Sequence, residues 1–317
     1  MGDAELAARA AWLHFVGGLT QSEVARRLDV PTTRAHRYIA RAQQDGLVRV
    51  FVDVESADCV KLEMLLATHY GLKTCRVAME IPEAGPLPLR ALSALGGDVL
   101  MRTVAAGEHS VIGVGNGRTL AASVAAMGRV PAAATRFVSM LGGLTRSGAA
   151  NPYDVIHSLA QKTGAEAYLM PAPLFADTAR DKKVMMSQAA LGVTMELIAK
   201  ASLVVVGIGN LDPDGATTTA MGSAPEVAAL KRDGARAEIL GQFLGADGRV
   251  LHTPCDARVM APALENLRGR EMIAIAGGIG KAGAILAALK SGLLTGLIID
   301  EATARSLVDE LGLAVAA

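Results

Sequence analysis

The chain has 317 residues, a length typical of about two domains. Hydrophobic residues make up 51% of it and charged residues 20%, a composition that supports a large buried core and excludes a disordered protein. The 31 lysines and arginines balance 31 acidic residues, which excludes a uniformly basic DNA-coating protein but allows a local basic patch. Aromatic residues are only 3%, so a surface that stacks single-stranded bases is not expected.

Cysteine and histidine spacing predicts no metal site and no cofactor. The cysteines, Cys59, Cys75 and Cys255, stand far apart, and the six histidines are equally scattered. Unpaired thiols of this kind predict a cytoplasmic protein. The first residues lack the basic start and apolar run of a signal peptide, and no stretch of about 18 apolar residues predicts a membrane helix.

The first fifty residues predict a helix-turn-helix. An alanine-rich helix over 4–16 ends at two glycines, and residues 20–23 (Thr-Gln-Ser-Glu) form a capping-box pattern that starts a second helix. Asp29 stands at the turn, where glycine is commoner but where Asp tolerates the left-handed conformation. A third helix over 32–44 places Ala35, Tyr38, Ile39 and Ala42 on one stripe.

A basic patch covers the outer side of these helices. Between Arg26 and Arg41 the chain carries five arginines against one acid, Asp29. A solvated face of a purely structural three-helix bundle is the alternative, but core, cap and charge agree on a DNA-binding register. We expect Arg34 and Arg37 to reach base edges and Arg26, Arg27 and Arg41 to reach phosphates. The full set of expected DNA contacts is Thr20, Gln21, Arg26, Arg27, Thr32, Thr33, Arg34, His36, Arg37 and Arg41.

The rest of the chain predicts an α/β domain with a mostly parallel sheet. Alternating apolar residues over 48–54 predict a strand, and a polar break after it sets the expected boundary between domains 1–55 and 56–317. Three later segments, starting at 110, 202 and 272, repeat the order buried strand, glycine-rich turn, helix, and shorter strands are expected at 136–141, 167–170 and 297–299.

The glycine-rich turns suggest a ligand site at the carboxyl ends of the strands. A dinucleotide site is disfavoured because Arg118 stands where the third glycine belongs, and no Gly-Lys-Ser/Thr marks a P-loop. A small anion suits the pattern better, since two helix starts carry Arg118 and Lys281 beside free backbone amides. The alternative is that the glycines only permit tight turns.

The chain resembles the SorC family of bacterial transcriptional regulators from end to end. The resemblance rests on motifs in the family's order: residues 11–15 leading into 18–21, the helix-turn-helix through Ala40, 115–119, 141–143, 207–209, 241–243, 276–278 with Lys281, and Thr303-Ala304 after Asp300-Glu301. Local runs at 143–146 and 150–152 look most like the branch that regulates erythritol catabolism.

The resemblance implies a sensing domain related to sugar-phosphate isomerases, a tetramer, and a sugar, polyol or sugar-phosphate effector. Carried over by position, the phosphate or its counterpart would meet Gly115, Asn116, Gly117, Arg118, Thr119 and Lys281. The carbon chain would meet Gly142, Gly143, Asn151, Gln242, Asp300 and Glu301. Many relatives have Thr or Ser in place of Asn116, and Arg118 adds bulk and charge, so the effector can differ.

The function expected is therefore a DNA-binding regulator of a carbohydrate operon, working as a homo-oligomer in the cytoplasm without membrane contact. The alternative is an isomerase-like enzyme with an accessory N-terminal domain. An isomerase needs a general acid and base at the strand ends. Asp300, Glu301 and His157 are available, but no pair stands out, and the helix-turn-helix would be left without a role. No catalytic residue is assigned.

Overall fold

The computed structural model describes residues 2–45, 47–48, 56–83, 85–143, 154–212 and 215–313. The chain divides into two compact units, Met1–Val54 and Glu55–Ala317. Residues 49–55, which hold most of the strand expected at 48–54 and the expected domain boundary, lie outside the described residues. Each unit is therefore treated by itself.

The first unit is a three-helix domain packed around small side chains. Its helices are α1 (Asp3–Ala11), α2 (Gln21–Leu28) and α3 (Thr32–Gln44). The expected helix over 4–16 changes character at Trp12: residues Trp12–Val16 form a π-helical turn, closed by a bond from the Gly17 N–H to the Trp12 carbonyl. Alanines allow close approach of α1 and α3, whose buried residues are Ala7, Ala10, Ala11, Ala35, Tyr38, Ile39 and Ala42.

Local sequence fixes where α2 begins and ends. The Thr20 hydroxyl accepts the Glu23 N–H at 3.3 Å, and the Glu23 carboxylate accepts the Thr20 N–H at 2.8 Å, which confirms the predicted capping box. The bonds that the Thr20 N–H and the Thr20 hydroxyl donate to the Glu23 carboxylate lower the pKa of Glu23. Asp29 ends the helix in the left-handed conformation at φ 53°, as the sequence predicts. After this turn the chain continues to Pro31 and α3.

The second unit contains a seven-stranded, all-parallel sheet with helices on both faces. The strand order is β1-β10-β9-β5-β2-β3-β4. Its strands are β1 (Thr74–Ala78), β2 (Val111–Val114), β3 (Arg136–Ser139), β4 (Glu166–Tyr168), β5 (Leu203–Val206), β9 (Glu271–Ile275) and β10 (Gly296–Asp300). The helices are α4 (Ala57–Tyr70), α5 (Leu89–Ala106), α6 (Arg118–Ala126), α7 (Ile156–Thr163), α8 (Ala179–Met186), α9 (Ala189–Lys200), α10 (Ala216–Met221), α11 (Ala224–Arg232), α12 (Ala282–Lys290) and α13 (Glu301–Glu310).

The central strands are apolar on both faces because each face is covered. All residues of β2 and β5 are buried, and two separate clusters of aliphatic side chains fill the two sides of the sheet. This confirms the predicted α/β class. Among the described residues no helix is long and apolar enough to cross a membrane.

A small antiparallel sheet beside the main one was not predicted. It contains β6 (Ala235–Ile239), β7 (Gln242–Gly245) and β8 (Val250–Leu251). Leu240 and Gly241 join β6 to β7 as a two-residue turn, both left-handed, with φ 52° and 77°. Leucine is rarely found in that conformation, so the backbone at Leu240 is strained and raises the free energy of the hairpin.

Asp300, the last residue of β10, organises the turn that follows β9. Its carboxylate accepts the Gly278 N–H at 2.8 Å and the Thr303 N–H at 3.0 Å, and it caps the start of α13. The Thr303 hydroxyl lies 2.8 Å from the same carboxylate and accepts the Gly278 N–H as well. With 4% of its surface exposed, Asp300 is a buried tie between two loops.

Replacing Asp300 with Ala should lower the free energy of unfolding by about 2 kcal/mol, because it removes a helix cap and leaves a buried N–H poorly paired. Urea unfolding followed by circular dichroism measures the change. Asp309→Ala, at an exposed position of the same helix, is the control and should stay within about 0.5 kcal/mol. An Asp300→Ala value equal to this control would contradict the capping role.

Candidate functional site

The first candidate site is the outward side of α3. Thr33 and Arg37 lie on the side opposite the buried stripe, and both are exposed. Arg26 and Arg27 of α2 are exposed as well. Of the other expected DNA contacts, Thr20, Thr32, His36, Arg34 and Arg41 are exposed and Gln21 is half-buried. The expected contacts therefore lie largely on exposed surface.

The five arginines of this surface fall into two groups. Arg34 lies 3.7 Å from a carboxylate oxygen of Asp3, and Arg41 lies 3.3 Å from one of Asp45. Arg26, Arg27 and Arg37 form no ion pair within the described ranges. Exposed pairs of this kind contribute about 1 kcal/mol at most, so Arg34 and Arg41 can exchange their carboxylates for another anion.

The second candidate site is a cleft where three central strands end. Strands β2, β5 and β9 are neighbours in the sheet, so their glycine-rich turns meet at one edge. The cleft is open to solvent, and the space between its walls and across its mouth is about 690 Å³. It is lined by Gly115, Asn116, Gly117, Arg118, Thr119, Leu141, Gly207, Ile208, Gly209, Asn210, Gly215, Thr217, Glu238, Leu240 and Lys281.

Two cations and a helix start form one end of this cleft. Arg118 is the first residue of α6, and Gly117 before it provides no capping side chain, so the first amides of the helix have no side-chain acceptor from it. Lys281 donates from Nζ to the Ile208 carbonyl at 2.8 Å. Burial lowers the pKa of Lys281, and the nearby Arg118 guanidinium lowers it further, against the opposing effect of Glu238 and Asp212. An anion bound here would relieve that repulsion.

Glu238, which the sequence analysis missed, is a buried acid in the wall of the cleft. Its carboxylate accepts the Gly241 N–H and a hydrogen bond from the Thr217 side chain, and only 8% of the residue is exposed. Burial raises the pKa of Glu238. The Gly209 and Glu238 backbones pair in both directions at 2.9 Å, and a Cβ on Gly209 would meet the Glu238 carboxylate. In the sequence, the one feature that points to Glu238 is its position as a single acid just before the left-handed Leu240-Gly241 turn.

The residues expected around the phosphate all line this cleft, but the roles of Thr119 and of the turn before Lys281 differ from the expectation. Arg118 and Lys281, far apart in sequence, are brought together as expected. The Thr119 hydroxyl, however, donates to the Ile275 carbonyl at 2.7 Å and is buried. The Gly278 N–H is bound to Asp300 and Thr303, and of this turn Lys281 is the residue that lines the cleft.

Of the residues expected around the carbon chain, those that the structure describes do not line the cleft. Gln242 is buried and bonds through both side-chain atoms to the Pro262 carbonyl and the Leu264 N–H. Asp300 forms the cap described above, and Glu301 accepts the Glu80 N–H at 3.0 Å. Gly142 and Gly143 bond to the Met260 and Ala172 carbonyls and are absent from the lining, and Asn151 lies outside the described residues. Their side chains or amides are committed to the fold.

No group of three or more His, Cys, Asp or Glu side chains that could hold a metal ion occurs in the described part of the chain.

A family model described as "Putative sugar-binding domain" matches residues 54–309. The erythritol catabolism regulatory protein EryD of Brucella abortus (strain 2308) is 47% identical over 316 residues, covering 98% of this chain and 99% of the relative. The transcriptional regulator LsrR of Enterobacter sp. (strain 638) is 30% identical over 311 residues, covering 96% and 93%.

A solved structure shares the fold along nearly the whole chain. The full-length sorbitol operon regulator SorC of Klebsiella pneumoniae superposes with a TM-score of 0.76 and 24% identity, covering 97% of this chain and 99% of that one. The fold and the relatives define a sugar-responsive transcriptional regulator rather than the enzyme alternative. The chain belongs to the SorC family of bacterial transcriptional regulators.

Proposed function

We propose that residues 1–55 bind operator DNA through α3 and that residues 56–317 bind a polyol or polyol phosphate and assemble the subunits. The observation that supports this most is the cleft, where Arg118 and Lys281 stand at one end and the buried Glu238 stands in the wall. Two cations suit a phosphate, and a carboxylate suits hydroxyl donors. We place this activity in the cytoplasm, where operator DNA is found.

We propose erythritol or an erythritol phosphate as the effector. The support is the 47% identity with a relative named for erythritol catabolism. The cleft adds a chemical reason for the phosphate form, because a neutral polyol would leave the repulsion between Arg118 and Lys281 unrelieved. Effector binding changes DNA affinity only if the effector prefers one arrangement of the subunits over another.

We propose a homo-oligomer, because one helix-turn-helix covers only a few base pairs and specific affinity comes from half-sites roughly 34–36 Å apart. We propose that it is a homotetramer, the assembly that the resemblance to the family implies. Light scattering on the full chain at micromolar concentration should give four times the mass of one chain, 32.7 kDa. Met64 of α4 is exposed and is a candidate contact between subunits. A monomeric mass would contradict the proposal.

Arg37→Ala should weaken binding to a selected duplex by about 1–3 kcal/mol and relax its sequence preference, because Arg37 lies on the outermost side of α3. Arg41→Ala should weaken binding to all duplexes alike, and it should reduce the slope of log affinity against log salt concentration by about one. Fluorescence anisotropy at several salt concentrations measures both effects.

The control for these variants is Arg232→Ala, an exposed arginine at the end of α11 in the other unit, which should leave DNA binding unchanged. Unchanged affinity and preference in both Arg37→Ala and Arg34→Ala would mean that α3 does not read the bases in the proposed register.

Lys281→Ala should abolish the response to an erythritol phosphate while leaving DNA affinity without effector within about threefold. Arg118→Ala should act in the same way toward the phosphate and much less toward erythritol itself, since only the phosphate needs two cations. Titrating each variant with both compounds, while following DNA binding by anisotropy and the melting temperature, measures the responses.

Lys290→Ala, at the exposed end of α12, is the matched control, since it removes a lysine from the helix that follows Lys281. It should respond as the wild-type protein does. If Lys281→Ala and Arg118→Ala also respond in full, the glycine-rich turns are only structural and the effector binds elsewhere.

A further inference from the structure

Asp3, at the start of α1, contacts two residues of α3. One of its carboxylate oxygens accepts a hydrogen bond from the Tyr38 hydroxyl at 2.9 Å. The same oxygen lies 3.7 Å from Nη2 of Arg34. The Arg34 guanidinium in turn lies over the Tyr38 ring, 5.6 Å from its centroid. Carboxylate, ring and guanidinium therefore form one cluster across the seam between α1 and α3.

This cluster restrains an arginine at the place where base recognition is expected. Arg34 is the third residue of α3, and the N-terminal residues of a recognition helix contact base edges. Tyr38 lies one turn further on and is buried, so the ring is a fixed platform. Asp3 meets the guanidinium at a single nitrogen, which leaves most of the five donors of Arg34 open, and 48% of its side chain remains exposed.

We propose that Asp3 is a positioning residue for DNA recognition: with the Tyr38 ring it holds Arg34 in the orientation that pairs with one guanine. This rests on the proposed DNA-binding function of α3. A restrained guanidinium loses less freedom when it forms two parallel bonds to the O6 and N7 atoms of guanine. The Asp3 carboxylate also repels phosphates, so it disfavours Arg34 as a contact to DNA of any sequence.

The pair Arg41–Asp45 at the other end of α3 provides a matched control. It is also an arginine–aspartate pair, with a distance of 3.3 Å and similar exposures, 48% and 49% against 48% and 57% for Arg34 and Asp3. The two residues of this pair stand on successive turns of one helix. No aromatic ring contact of Arg41 is found within the described residues, and Arg41 is expected to meet a phosphate.

The test uses the full chain and the 20-base-pair duplex that the wild-type protein enriches from a randomised library. Dissociation constants are measured by anisotropy for this duplex and for copies in which each G·C pair in turn is replaced by A·T. Asp3→Asn should lower discrimination at one G·C position by about tenfold and leave the other positions within about twofold. Asp45→Asn should leave discrimination at every position within about twofold.

Asp3→Glu, which keeps the carboxylate, should restore discrimination at that position in part. Asp3→Asn also removes an acid from the first turn of α1, so its melting temperature is measured beside the binding constants. A merely structural role would weaken every duplex alike, and this result would overturn the positioning role. Wild-type discrimination in Asp3→Asn would overturn it equally. Absence of salt-dependent duplex binding by the wild-type protein would instead overturn the proposed function, and this inference with it.

Discussion

Parallel pairing of three neighbouring strands is the constraint on which the second unit depends. Strands β9, β5 and β2 run side by side in one direction, so the turns that follow them meet at a single edge. Lys281 follows β9 and Arg118 follows β2. The parallel arrangement brings these two residues together, although more than half of the unit's sequence lies between them. The cleft could not form from the same turns in an antiparallel sheet, because successive strands would end at opposite edges.

The electrostatics of the cleft follow from this convergence. Lys281 and Arg118 repel each other in a partly closed space, and the Ile208 carbonyl and Glu238 offset that repulsion only in part. Burial raises the pKa of Glu238 and lowers that of Lys281, so the charged forms of both groups are disfavoured by desolvation. The proposed ligand carries both an anionic group for the cations and hydroxyl donors for the carboxylate, so both groups can contribute to its preference for one arrangement of the subunits.

The first unit relies on polar contacts at helix ends, because the core formed by its described residues is small. Alanines fill most of the space between α1 and α3, and Tyr38 is its largest fully buried side chain. The Thr20–Glu23 capping box fixes the start of α2, and the left-handed Asp29 fixes the turn from α2 into α3. Asp3 ties the start of α1 to the same helix. Few large side chains hold α3, so such contacts matter for the direction in which its arginines point.

The sequence by itself determined the helix-turn-helix, the repeated order of buried strand, glycine-rich turn and helix, and the meeting of Arg118 and Lys281, because these follow from short-range patterns and from the rule that parallel strands end at one edge. Only the tertiary structure decided the roles of Glu238, Gln242 and Asp300. A polar residue beside a turn has the same local pattern whether it faces a ligand or caps a helix. The Asp300 bond to Gly278 and the Gln242 bond to Leu264 each span 22 residues, and such partners are set by packing, which no local pattern records.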